Sequence, residues 1–335
     1  MKRLIGFLFL LNVCATITCF GQTSEKIKQF VFFSREREGI HDSIFYNNPG
    51  VDGAQITYPW KRLEPQKDEY DFSEIEEDLQ FLKSKGKKLF IQIQDVTFDT
   101  TLMAVPKYVM KDPIYHGGQD PQYSFTDDNT ESDPVRAGWV SRRWDPAVAE
   151  RFHKLLHELA KKYDGRIEGI NLPESSIEEG TSGKYFPQGF NFAAYRDAIK
   201  GNMLVLKQAF QHSAIIQYAN FFPGPTTYLQ ELFDYAKQIK VGMGGPDIKV
   251  YRKFQMENSY PMIRAMYGYA TTGVAVQEGN YSVINDKTGK PVTVPEILDF
   301  ARDYLRLNYI FWCTEEPFYS KQVLPMLRAL KTEKH

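Results

Sequence analysis

Residues 72–95 read FSEIEEDLQFLKSKGKKLFIQIQD, and this stretch shows the unit from which the whole chain is built. Its first part, Phe72–Lys85, is amphipathic with helical periodicity, starts near Ser73, a suitable N-cap, and stops at Gly86. Its second part, Lys88–Asp95, is a short apolar run of strand type. Another such run, Val51–Trp60, precedes it, so the order is strand, helix, strand. Working outward, further strands are expected at Ile27–Ser34, Arg166–Ser175, Ala214–Phe221, Val241–Asp247, Thr272–Asn280 and Tyr309–Glu315. Helices are expected between them at Pro146–Tyr163, with Asp145 as N-cap and Pro146 in the first turn, and at Phe192–Phe210, Tyr228–Ile239, Tyr260–Tyr269 and Pro295–Leu307. Ser320–Leu330 closes the series. Strands that alternate with helices make a parallel sheet, and eight of them make a (β/α)8 TIM barrel. The competing open, doubly wound sheet would show a Gly-rich phosphate turn after its first strand, and none is present.

The remaining sequence is consistent with one α/β domain over residues 22–335. No internal repeat, low-complexity tract or Pro/Gly/Ser linker divides it. Residues 1–21 read as a signal peptide: Lys2 and Arg3 lead an apolar stretch to Phe20, with Cys19 and Gly21 as small residues before a cut at Gln22. The expected location is therefore secreted or periplasmic. A lipoprotein anchor at Cys19 or Cys14 is the alternative, but Thr18 and Val13 before those cysteines fit a lipobox poorly. Beyond the leader only Cys313 remains, which excludes an internal disulfide and a cysteine-based metal site. Charge is balanced, with 41 Lys+Arg against 42 Asp+Glu, so no nucleic-acid footprint is expected.

One segment breaks the pattern. Val96–Arg143 has no clear periodicity and follows the third strand, so it reads as a long loop on the C-terminal face of the barrel, where active sites are built. It carries Tyr108, Tyr115, Tyr123, Phe125 and Trp139, with Trp144 just beyond, and reads as the wall of a substrate cleft.

Two strands end on glutamate. The fourth runs RIEGINLPESS over residues 166–176 and brings Glu174 to its end; the seventh runs GVAVQEGNY over 273–281 and brings Glu278. A charge closing an apolar run is costly unless it is paired or used. Trp60 and Arg62, Gln94, Asn171, Tyr218 and Asn220, Asp247, Tyr281 and Trp312 lie at or near other strand ends and are candidate substrate contacts. Glu178 and Glu179 are alternatives for an acid, expected to be solvated. The histidines form no ligand cluster, His153 and His157 included, and no Gly-x-Ser-x-Gly elbow or phosphate loop appears, so neither metal nor cofactor is expected.

The pair of strand-end glutamates resembles that of the clan A superfamily of retaining barrel glycosidases. Two further segments are similar: residues 55–72, with Trp60, Glu64-Pro65 and Tyr70-Asp71-Phe72, and Val105-Pro106-Lys107-Tyr108 after the third strand. Phe311-Trp312 resembles the aromatic of the eighth strand. The resemblance implies a glycoside hydrolase acting on β-glycosidic bonds of a polysaccharide or oligosaccharide by double displacement. Glu174 would be the acid/base and Glu278 the nucleophile, their carboxyls ~5–5.5 Å apart. There is one departure: Pro173, not asparagine, precedes Glu174, and Asn171 lies three residues back. That departure keeps open a non-catalytic carbohydrate-binding barrel of a glycan-uptake system.

Overall fold

A computed structural model describes residues 26–127 and 130–332. The expected leader, with Cys14 and Cys19, lies outside the described residues. Eight parallel strands close a barrel: β1 Lys28–Phe32, β2 Gly53–Pro59, β3 Lys88–Gln94, β4 Gly169–Leu172, β5 Ala214–Tyr218, β6 Gly242–Gly245, β7 Thr272–Val276 and β8 Tyr309–Cys313. Each pairs with the next, and β1 pairs with β8 in the register Lys28↔Tyr309 to Phe32↔Cys313. All eight lie inside the expected runs. Helices connect most of them: α1 Ser73–Ser84, α2 Pro146–Tyr163, α3 Phe192–Ala209 and α4 Thr227–Ile239. In α2, Asp145 accepts hydrogen bonds from the Ala147 and Val148 amides, as its position implied. In α1 the role moves back: Ser73 is the first helical residue, and the Asp71 side chain accepts from its amide. The helix expected at Tyr260–Tyr269 shortens to Ser259–Arg264, ending in turns that lead through Gly268, at φ +80°, into β7.

The barrel interior is layered. At the N-terminal end the rings of Phe30, Phe90, Tyr309 and Phe311 pack together, with Phe90 and Phe311 centroids 5.0 Å apart at a steep angle. Glycine makes room for them: a Cβ on Gly169 would stand 2.5 Å from the Phe90 ring. Above lies a polar layer in which Gln55 Nε2 donates to Asn171 Oδ1 at 2.7 Å and to the Tyr218 hydroxyl at 3.1 Å. Above that is the mouth.

At the base of the barrel Glu168 takes hydrogen bonds from Lys28, Lys88 and the Tyr309 hydroxyl. Burial alone would raise its pKa, but those bonds and the Lys28 charge bring it down to about 2. A carboxyl lowered in the folded state stabilises the protein above its unfolded value, and the contribution disappears as pH falls through the folded value. Glu168→Gln is therefore expected to cost about 1–2 kcal/mol at pH 6, since both lysines are solvent-screened. The variant should converge on wild type as pH falls through about 2 in urea-unfolding curves.

Val96–Arg143 is not an irregular loop. Val96–Thr97, Gln119–Ser124 and Val135–Ser141 form a three-stranded antiparallel sheet, with a helical turn at Lys107–Lys111. In its strands QDPQYS and VRAGWVS the buried places include the polar Gln122 and Ser141, so they lack the apolar alternation by which strands are recognised. The excursion is locked at its base by a buried ion pair: Arg143 contacts Asp95 at 2.6 and 2.8 Å, and Ser141 donates to the same carboxylate.

Candidate active site

The Asp95–Arg143 pair also sets the position of Glu174. Arg143 Nη1 donates to the Glu174 carbonyl at 3.2 Å and to the Tyr195 hydroxyl at 2.8 Å. Beyond β4, Gln217 Nε2 donates to the Pro173 carbonyl, and the Ser175 amide donates to the Tyr218 carbonyl. Pro173 thus sits where no strand donor is needed. Glu174 projects into a cavity of about 150 Å³ at the barrel mouth, shared with Thr57, Gln92, Gln94, Tyr218 and Gln277.

The Glu174 carboxyl holds its proton up to about pH 7. Burial is the main cause and the Asp247 charge the second; a hydrogen bond from Asn220 and the charges of Arg143 and Lys249 oppose them. Asp247, just beyond β6, is held by two partners: Asn280 Nδ2 donates at 2.9 Å and Lys249 Nζ lies at 3.5 Å. Asn280 Oδ1 in turn accepts from the Ile248 and Gln277 amides, tying the ends of β6 and β7 together. The mouth therefore holds one acid with a raised pKa beside a second acid that pairs with Lys249. Two buried acceptors, Gln94 Oε1 and Asn220 Oδ1, have no hydrogen-bond partner among the described residues. They suit a ligand rich in hydroxyl donors.

Glu278 is not part of this arrangement, which corrects the expectation that it faces Glu174. Side chains alternate along a strand. A Cβ on Gly273 would meet Ile216, Phe311 and Tyr309, so Gly273 faces the barrel interior, and Ala275 and Gln277 follow on the same side. Glu278 follows in the turn beyond the strand, is exposed and does not line the cavity, whereas Gln277 does. Glu278→Gln is accordingly expected to leave turnover and folding within about twofold of wild type, as exposed substitutions usually do, by initial rates and thermal melting.

Several other candidates are scaffold. Trp60 is fully buried and donates through Nε1 to Glu64, which pairs with Arg151. Arg62 pairs with Glu74 in the first turn of α1. The segment that resembles the glycosidases therefore fastens β2 to α2. Asn171 is buried one layer below the cavity. Tyr281 stacks on Phe318 and donates to the Cys313 carbonyl. Trp312 lies on the helix-facing side of β8, its Nε1 donating to Gln29. Of the sequence candidates, Glu174, Gln94, Tyr218, Asn220 and Asp247 come together. Gln277, Asn280, Lys249 and Arg143 were missed; Gly279, a glycine at φ +82° directly before Asn280, is the one local signal of the turn that aims it.

Glu179, expected to be solvated, is buried. Burial first and the Asp120 charge second raise its pKa to about 9. Next to it, Glu178 joins the loop after β4 to the excursion: its amide donates to Gln122, and the Tyr123 amide donates to its carbonyl.

No family model matches the sequence, and neither does any curated protein. Solved structures do match. The catalytic domain of β-amylase from Paenibacillus polymyxa superposes with a TM-score of 0.58 at 8% identity, over 86% of this chain and 92% of that one. Xylanase 10B from Thermotoga petrophila RKU-1, in complex with xylobiose, gives 0.52 at 11% identity, over 86% and 82%. The β-galactosidase of the psychrophilic Marinomonas ef1 gives 0.57 at 9% identity, over 92% and 60%. The class is therefore the (β/α)8 barrel. At such identities the likeness is one of fold, and what the barrel does rests on its own mouth.

Proposed function

We propose that this protein is a glycoside hydrolase in which Glu174 is the general acid and Asp247 the second carboxylate. The observation that carries the reading is the pairing of a proton-bearing Glu174 with an Asp247 held by Lys249 and Asn280 at one barrel mouth. Glycosidic cleavage needs two carboxyls, one of which can give up a proton, and burial with the Asp247 charge raises Glu174 for that part. Glu174 protonates the leaving oxygen, and Asp247 takes the role first given to Glu278, attacking the anomeric carbon. Water then releases the sugar with Glu174 acting as base, so the configuration is retained. Thr57, Gln92, Gln94 and Asn220 supply hydrogen bonds to sugar hydroxyls, and Tyr218 forms the floor. The leader of the sequence implies that this happens outside the cytoplasm. Barrel structures of a β-amylase, a xylanase and a β-galactosidase support the kind of chemistry without fixing a sugar.

A panel of aryl glycosides and polysaccharides, with the anomer of the first product followed by NMR, tests the reading. Hydrolysis with retention supports it. A second reading is a saccharide-binding barrel without turnover, favoured by Gln277, which lines the cavity just past the end of β7, where the resemblance calls for a nucleophile. Glycan binding by a wild-type protein that hydrolyses no member of the panel would establish that one instead.

A further inference from the structure

The chain leaving the Glu174 site opens into a second, larger pocket. Ser176, Ile177 and Glu178 begin two residues after Glu174, and Phe221 follows Asn220; with Tyr123 and Phe125 of the excursion they line a cavity of about 530 Å³. That is a size typical of a ligand site, against about 150 Å³ over Glu174. Phe221 leaves 41% of its surface in water, leaning on Phe254, itself 50% exposed, with ring centroids 6.1 Å apart. On the facing wall Tyr123 and Phe125 tilt against Tyr185 at 5.5 and 5.1 Å.

The wall is built before any ligand arrives. Glu131 accepts from the Thr181 and Ser182 amides, and Gln122 and Tyr123 are tied to Glu178. Aromatic faces held in this way cost little further ordering on binding. Their chemistry is mixed: the aromatic residues share the lining with Ser124, Ser176, Thr181 and Glu178. A wholly apolar ligand would strip water from those polar groups without replacing it. Among the described residues, no lysine or arginine lines the pocket, so nothing there compensates an anionic ligand. A ligand with C–H faces for the rings and hydroxyl edges for the polar groups fits both constraints.

We propose that this pocket binds pyranose units of a neutral saccharide chain, flanking the bond that Glu174 acts on. The substrate is then an uncharged oligosaccharide or polysaccharide rather than a uronate or sulfated polymer. This rests on the glycosidase reading for its link to cleavage, though not for the binding itself.

The test is calorimetric titration of the full chain carrying Glu174→Gln. The ligands are neutral hexasaccharides of glucose, xylose, mannose and galactose, their disaccharides, and hexagalacturonate. A neutral hexasaccharide should bind at least about tenfold more tightly than its disaccharide, and adding Phe221→Ala or Phe125→Ala should remove about tenfold of that affinity. Disaccharide binding should not change. The rings are at least partly exposed, and near-UV circular dichroism verifies that the variants fold. The proposal is overturned if hexagalacturonate binds best, if no neutral hexasaccharide binds, or if affinity ignores both phenylalanines. Ring-dependent binding by a wild-type protein that hydrolyses nothing would remove the glycosidase reading and keep this pocket. Hydrolysis of an aryl glycoside, with hexasaccharide affinity blind to both phenylalanines, would do the reverse.

Discussion

Glu174→Gln is expected to lower kcat by about 10²–10⁴-fold, the usual share of a positioned acid, while making the protein more stable above neutral pH. The two effects have one cause. Burial and the Asp247 charge raise the Glu174 pKa to about 7, well above its unfolded value. Between the two values the folded state binds more protons than the unfolded one, so stability falls as pH rises through that window. By pH 8 the folded protein carries an ionised Glu174 at a cost of roughly 2–3 kcal/mol, and the amide has none. Melting curves at pH 5 and pH 8 should therefore diverge: near-equal temperatures at pH 5, and a higher one for the variant at pH 8. Such an exchange of activity for stability is typical of a working group. If turnover fell while the pH 8 melting point fell too, Glu174 would be a support of the fold rather than the acid.

Asp247→Asn is the second large expectation. Loss of the second carboxylate should reduce kcat by at least about 10³-fold, the scale of losing a group that acts only in the transition state. It should also move the basic limb of the pH–rate profile to lower pH, because the charge that helps keep Glu174 protonated is gone. A merely structural role would not shift that limb. With Asp247→Ala, added azide should restore turnover of an activated aryl glycoside and yield a glycosyl azide of inverted configuration, if Asp247 attacks carbon. An unshifted limb together with unchanged turnover would exclude Asp247 from the chemistry.

The contrast between Glu278 and Asp247 shows where sequence reading stops. Both close apolar runs, and both were candidates. β7 is buried along its whole length, on the barrel side and on the helix side, so its residues carry no alternation from which a facing can be read. A difference of one position decides the matter, and Gln277 takes the inward place. Asp247, by contrast, owes its surroundings to Asn280 and Lys249, contacts made where two strand ends meet. Trp60 and Trp312 misled for a related reason: a large aromatic near a strand end looks the same in sequence whether it faces the mouth or the helices.

The sequence by itself determined the order and approximate place of eight strands, the helices that separate most of them, and Glu174 just past the end of the fourth. These follow from local periodicity, caps and glycine stops, which act over a few residues. Only the tertiary structure decided which side of each strand faces the axis, that Asp247 rather than Glu278 stands with Glu174, and that the excursion after β3 folds into a sheet walling an aromatic pocket. Those outcomes depend on barrel closure and on contacts between residues far apart in the chain, such as Asp95 with Arg143 and Glu131 with Thr181, and no local pattern encodes them.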